Sequence, residues 1–229
     1  MPDPAGPVEP IHALIRVWVA DRPGALGLVA SRIGALRGDI VGIDVLERGE
    51  GVAIDEFAVN LPSPEVVEVL VREIEQVDGA SVEQVRLVDH YPDARIDALE
   101  SAAGLCEAAN LASLHSVLVD HVHGEFLADW TALVTGAPDH LERLAAAGDA
   151  PDDAMLHALV LGTSASEAVA SGASGPDDLA LAHLPNHEAT LLAGRGGPPF
   201  RRLERAQLLA LARIADRTWT LLDAAPETA

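Results

Sequence analysis

A proline-glycine pair at positions 23 and 24, set between an alternating apolar run and an apolar stripe of helical period, most restricts what this chain can fold into. Upstream, Ile11 to Ala20 carries Ile15, Val17 and Val19 on one face, the pattern of a half-buried strand. Downstream, Leu26, Val29, Ile33 and Leu36 recur at spacings of three, four and three, the inner stripe of a helix. A strand that reverses directly into a helix presents the first helical amides at the turn. Proline pre-sets the first helical φ there, and glycine brings bare backbone to the surface. The natural guest of such amides is a small carboxylate.

The same reading extends through the first ninety residues. Gly38 is expected to end the helix, and Ile40 to Glu47 and Val52 to Leu61 read as two strands joined by the hairpin connection Gly49-Glu50-Gly51. Ser63 and Pro64 have the character of an N-cap and a first helical residue. The helix they open carries Val66, Val67, Leu70, Val71, Ile74 and Val77 as its stripe and stops at Gly79, before a fourth strand from Val82 to Val88. This order, βαββαβ, is the ferredoxin-like split pair, an α+β arrangement in which two helices cover one face of an antiparallel sheet.

The segment from about Ala13 to Asp89 resembles the ACT domain, whose signature is an Asp-Arg-Pro-Gly-x-Leu turn after the first strand and an Asn-Ile pair opening the second. Here the turn is complete as Asp21, Arg22, Pro23, Gly24, Ala25 and Leu26, and the second site reads Asp39-Ile40, with aspartate where asparagine is usual. The resemblance implies an amino-acid-binding regulatory domain over residues 11–90, with these eight residues as its site. Backbone amides from Pro23 to Leu26 would hold the α-carboxylate at the positive end of the helix, and Asp39 would meet the α-ammonium. The competing reading gives Asp21 a helix cap and Asp39 a place in a turn. ACT domains meet in pairs with sites at the interface, so a homodimer is expected.

His90-Tyr91-Pro92-Asp93 breaks the pattern, which places a linker at about residues 91–94. Beyond it, Ile96, Leu99, Ala103, Cys106, Asn110, Leu114 and Val117 follow helical steps along one long helix, interrupted by Asn110. Phe126 to Val134, Leu141 to Ala146 and Ala189 to Gly194 read as strands. A final helix from about Leu203 to Leu222 has Leu208, Leu211, Ala212, Ala215 and Trp219 on one side. Asp129-Trp130, Gly194-Arg195, Phe200, Glu204, Leu208 and Ala212 make residues 95–224 similar to a shortened GAF domain, a sensor fold with a central sheet between helices.

Several chemistries are disfavoured. The chain has a net charge of -21 and all fifteen basic residues are arginine. A polyanion such as nucleic acid or an anionic membrane surface would be repelled, and lysine-dependent Schiff-base and phosphate-loop chemistry is excluded. Cys106 is the single cysteine, so a disulfide-stapled or cysteine-rich zinc fold is not expected. It reads as a buried small side chain, and with no signal-peptide pattern and no membrane-length apolar run the expected setting is the cytoplasm.

Other reactive residues are poorly placed. His115, Asp120, His121 and His123 read as a polar helix face or helix end and not as metal ligands, since residues 121 and 123 project roughly 200° apart. His183 and His187 are separated by Pro185, against a shared helical face. Gly162 to Ser166 lacks the glycine after a nucleophilic serine and reads as a loop, continued by a Ser-, Ala- and Gly-rich connection to Gly175. The expectation is a non-catalytic, two-domain regulator without cofactor or metal, which binds a small amino acid and signals to its second domain or a protein partner. The alternative is a ligand-independent assembly module.

Overall fold

Two four-stranded antiparallel sheets, one in each half of the chain, organise the computed structural model, which describes residues 10–91, 94–137, 140–164, 166–172 and 175–224. The fold class is α+β, and the chain divides into two units, Met1–Pro92 and Asp93–Ala229. No helix among the described residues is long and apolar enough to cross a membrane.

In the first unit β1 (Ile11–Ala20), α1 (Ala25–Ala35), β2 (Asp39–Gly49), β3 (Val52–Leu61), α2 (Val66–Glu75) and β4 (Ser81–Val88) follow one another, and the sheet order is β2-β3-β1-β4. Alternate residues Ala13, Ile15, Val17 and Val19 of β1 and Phe57, Val59 and Leu61 of β3 meet Val29 and Ile33 of α1 and Leu70 and Ile74 of α2 in one core. The β2–β3 connection is tighter than the expected three residues. Gly49 still pairs with Val52, and only Glu50 (φ 54°) and Gly51 (φ 82°) turn, both left-handed as a primed hairpin turn requires.

Two helix boundaries differ from expectation for identifiable reasons. The residue that ends α1 in the left-handed region is Arg37 (φ 61°), with Arg37 N–H donating to Gly34 and Gly38 N–H to Ile33 in a Schellman closure. Gly38 is needed for space, since a Cβ there would lie 2.7 Å from Ile33 Cγ2. Ser63 does not cap α2. The N-cap is Glu65, which makes no side-chain cap, and the Ser63 side chain bonds the Glu65 carboxylate and lowers its pKa.

The second unit contains α3 (Ala94–Cys106), α4 (Leu111–Glu125), β5 (Trp130–Ala137), β6 (His140–Gly148), α5 (Asp153–Ser164), α6 (Glu167–Ala170), β7 (Leu179–Leu184), β8 (Ala189–Gly194) and α7 (Arg202–Ala224), with sheet order β6-β5-β8-β7. The long helix expected across Asn110 is two helices. Asn110 caps α4 in a reciprocal box with Ser113, accepting from its N–H at 2.9 Å while the Ser113 hydroxyl accepts from the Asn110 N–H. Trp130, four residues after the expected Phe126, begins β5, because Phe126 closes α4 and Leu127 is left-handed (φ 50°). Strand β7 and helix α5 were not anticipated; Gly162 to Ser164 belong to α5, Glu167–Ala170 forms α6, and positions 165, 173 and 174 lie outside the described residues. Cys106 is exposed, with the neighbouring Leu105 buried in its place.

Three of the residues that carried the GAF resemblance, Arg195, Phe200 and Glu204, form one buried network. Every N–H of the Arg195 guanidinium has an acceptor: Pro198, Pro199 and Phe126 carbonyls at 2.7–2.8 Å and both oxygens of Glu204 at 2.9 Å. Its plane also lies 4.1 Å from the Phe200 ring centre. Glu204 in turn accepts from the Arg201 N–H at 2.7 Å, closing the first turn of α7. Gly194 must lack a side chain, because a Cβ would fall 2.3 Å from the Trp130 indole. Glu204→Ala would leave a buried guanidinium without its counter-ion. It is expected to lower stability by about 3–5 kcal/mol in urea unfolding; a loss under about 1 kcal/mol would show that the carbonyls suffice.

Candidate functional site

The β1–α1 turn is held from below by the β2–β3 hairpin. Asp21 N–H donates to the Gly51 carbonyl at 2.9 Å, and the Asp21 carboxylate accepts from Arg48 Nη2. Arg22 reaches the Asp78 carbonyl and carboxylate, both at 3.4 Å. Because Asp21 faces Arg48, it does not cap α1. The N-cap is Gly24, left-handed at φ 88°, and no side chain bonds the helix end.

The amides divide into two groups. That of Asp21 donates to Gly51 of the hairpin and those of Arg22, Ala25 and Leu28 to carbonyls of residues 20–24, whereas those of Gly24, Leu26 and Gly27 have no backbone acceptor among the described residues. Ala25 is buried and Leu26 is 36% exposed. A Cβ at Gly24 would meet nothing within 4 Å, so what requires glycine is the positive φ and not a crowded approach.

Asp39 and Ile40 lie at the far end of the same sheet. Asp39 opens β2 opposite Asn60, and Asn60 is opposite His12. From His12 to Asp21 the chain advances nine residues along β1, roughly 30 Å. Asp39 is exposed there, beside Asn60 Oδ1, which accepts from Tyr91 Oη and pairs with His12 Nδ1, both at 2.9 Å. Within one chain, therefore, the two halves of the expected site are not brought together.

A residue not anticipated lies much nearer the turn. Asp55, on β3, shares the helix-covered face with Ala53 and Phe57 and sits opposite Val17 and Val45. Its exposure is 0%, and neither carboxylate oxygen has a hydrogen-bond partner among the described residues. Burial raises its pKa above the ordinary carboxylate range; Arg48 opposes that rise and Asp21 adds to it. The signal was available as a charged residue at an inward position of an otherwise apolar alternation.

In the second unit a cavity of about 320 Å³ lies between the sheet and α5, lined by Trp130, Met155, Leu159 and Leu179, with Pro176, Asp178 and Arg195 at its polar side. This is the lower end of the size range of ligand pockets. Since the Arg195 donors are all committed inward, that guanidinium is structural.

Several histidines of this unit make defined contacts. His187 Nδ1 is 2.8 Å from Asp216, Nε2 is 3.5 Å from Asp223, and the ring stacks on Trp219 at 4.2 Å, against whose ring His115 also packs. Burial lowers the pKa of His115 and of His183. Ser101 Oγ lies 2.8 Å from His121 Nδ1 and donates to Glu125 at 3.1 Å. The carboxylate thus bonds the serine, not the histidine, and Ser101 is 2% exposed, which is not the order of a nucleophilic relay. No His, Cys, Asp and Glu group among the described residues could hold a metal ion.

Among solved structures, the chain is similar to the ACT domain of GTP pyrophosphokinase from Chlorobium tepidum (18% identity, 34% of this chain and 99% of that one, TM-score 0.28). It is similar also to the GAF domain of an Acinetobacter phosphoenolpyruvate-protein phosphotransferase (11% identity, 61% and 100%, TM-score 0.42). A third is the chromophore-binding domain of the bacteriophytochrome RpBphP3 from R. palustris (10% identity, 96% of each chain, TM-score 0.41). No protein-family model matches the chain, and neither does any curated protein.

Asp55 gives the unit a pH signature. With its folded pKa raised, the folded state binds more protons than the unfolded one between the ordinary carboxylate value and the raised value. Stability therefore falls as pH climbs through that window and levels off above it. Asp55→Asn is expected to flatten that part of the pH–stability profile and to be more stable than the parent near neutral pH by about 1–2 kcal/mol. Denaturant unfolding at a series of pH values checks this, and a parent no less stable than the variant near neutrality would contradict it.

Proposed function

We propose that the chain is a non-catalytic sensory or regulatory protein that binds a free amino acid at the β1–α1 turn and passes the occupancy to its second unit or to a protein partner. The observation that carries this reading is the uncapped start of α1. The amides of Gly24, Leu26 and Gly27 lack backbone acceptors, and the acidic side chain that could have capped the helix is held by Arg48. An α-carboxylate supplies the missing acceptor and is favoured by the helix dipole.

The second half of the site comes from a second copy of the chain. Strand β2 is an edge strand, with Val41, Ile43 and Val45 49%, 44% and 43% exposed, and such an edge is a template for pairing. Two β2 strands paired antiparallel and centred near Ile43 to Val45 bring Asp39 of one copy to the hairpin tip of the other, beside Arg48 and Asp21. The roughly 30 Å that separates the halves within a chain is then closed by symmetry. The exposed edge equally favours the ligand-independent assembly reading, in which the pair forms but the turn stays empty.

A thermal-shift screen over the common amino acids, followed by calorimetry on the best, separates the two. Binding by a dimer is expected, with Asp39→Ala reducing affinity roughly tenfold to a hundredfold as a charged contact is lost. Ile43→Lys, which charges the edge, is expected to give monomers that no longer respond to the amino acid. A dimer indifferent to every amino acid would favour assembly alone, and tight binding by an Ile43→Lys monomer would place Asp39 outside the site.

A further inference from the structure

The connection between β7 and β8 sets one imidazole between two carboxylates of α7. His187 closes the short 3₁₀ turn Pro185–His187, where the Thr135 hydroxyl donates to its carbonyl at 3.0 Å and the left-handed Glu188 (φ 47°) follows it. Its Nδ1 lies 2.8 Å from Asp216 and its Nε2 lies 3.5 Å from Asp223, about two turns further along α7. The ring also stacks on Trp219 of the same helix, with centroids 4.2 Å apart and planes 11° from parallel.

These contacts distinguish the two protonation states of the ring. A neutral imidazole has one N–H and one bare lone pair, so it donates to one carboxylate and turns the lone pair toward the other. Asp216 is the fixed partner, since its side chain is 7% exposed and its second oxygen accepts from Asn186 Nδ2 at 2.8 Å. The lone pair therefore falls opposite Asp223. The imidazolium instead donates at both nitrogens, and its charge is favoured on the indole face. Of the other titratable groups nearby, His115 of α4 packs on the same indole; burial and the charge of His187 lower its pKa, against Asp223, which favours its neutral form. His183 of β7 lies 2.9 Å from the Thr190 hydroxyl, and Glu188 makes no ion pair with the His187 ring among the described residues.

We propose that His187 is a proton-operated latch on the C-terminal turn of α7. As the imidazolium it ties both Asp216 and Asp223 to the β7–β8 connection. When Nε2 gives its proton to water, the ring keeps Asp216 and releases Asp223, whose side chain is 51% exposed and has solvent to turn to. The last turn of α7, which ends at Ala224, then loses its tie to the connection, while the turn that carries Asp216 keeps its own. The latch lies within the second unit and is independent of what binds at the β1–α1 turn.

NMR on the full chain between about pH 5 and 8 tests this, with the His187 ring resonances reading protonation and the exchange protection of amides 221–224 reading the latch. The two are expected to change together, with protection falling about twofold to fivefold as the ring loses its proton, the weight of a partly exposed ion pair. Asp223→Asn, a change at a half-exposed position, is expected to make the ring about twofold to fivefold easier to deprotonate and to hold protection at its high-pH value throughout. His187→Asn, whose amide still donates to Asp216, is expected to be equally insensitive to pH. A merely structural Asp223 would instead alter protection by the same factor at every pH. A ring that titrates identically in the parent and in Asp223→Asn, last-turn protection that does not follow the ring, or a ring that keeps one protonation state across the range would overturn the latch.

Discussion

Everything in the first unit that bears on function depends on where the Asp21 carboxylate goes. An α-helix begins with amides that its own carbonyls cannot reach, and a preceding aspartate commonly supplies the acceptor. Here Asp21 is turned away to Arg48, at the tip of the β2–β3 hairpin, and the N-cap falls on Gly24, which has no side chain. The same interaction ties the turn to the hairpin, reinforced by Asp21 N–H on Gly51. One ion pair therefore fixes the turn while the helix end keeps no side-chain cap.

The second unit follows the opposite logic. Its most conspicuous cation, Arg195, is buried and has each N–H satisfied, partly by Glu204, which also closes the first turn of α7. Asp216 similarly gathers His187 and Asn186 onto α7. These groups hold the sheet and its long helix in register, and a fully satisfied polar network rigidifies a core more than it offers a binding surface. Beside that network lies the cavity between Trp130 and α5.

The sequence made the six elements of the first unit legible because its periodicities are clean and its turns are marked by glycine and proline. It could not show that Asp39 lies across the sheet from Asp21, since strand direction and register are properties of pairing, not of local pattern. Arg37 was passed over as a helix end because glycine stands beside it at position 38, where it serves packing instead. Asn110 was seen as an interruption of an apolar stripe, although Ser113 three residues on completed a capping box in plain view. In the second unit, β7 was hidden by a short Leu-Ala run that fits strand or helix equally, and α5 by a helix whose apolar residues do not form a narrow stripe. Asp55 was visible as one charge among the inward residues of β3, but its meaning depended on finding no partner around it.

The central claim is that a ligand carboxylate completes the first turn of α1. Its most direct test is the backbone amide spectrum of the full chain during titration with the best ligand of an amino-acid screen. The account predicts that the amides of Gly24, Leu26 and Gly27 shift downfield together and become protected from hydrogen exchange. Binding that leaves those three amides unmoved, or an absence of binding by any amino acid, would contradict it.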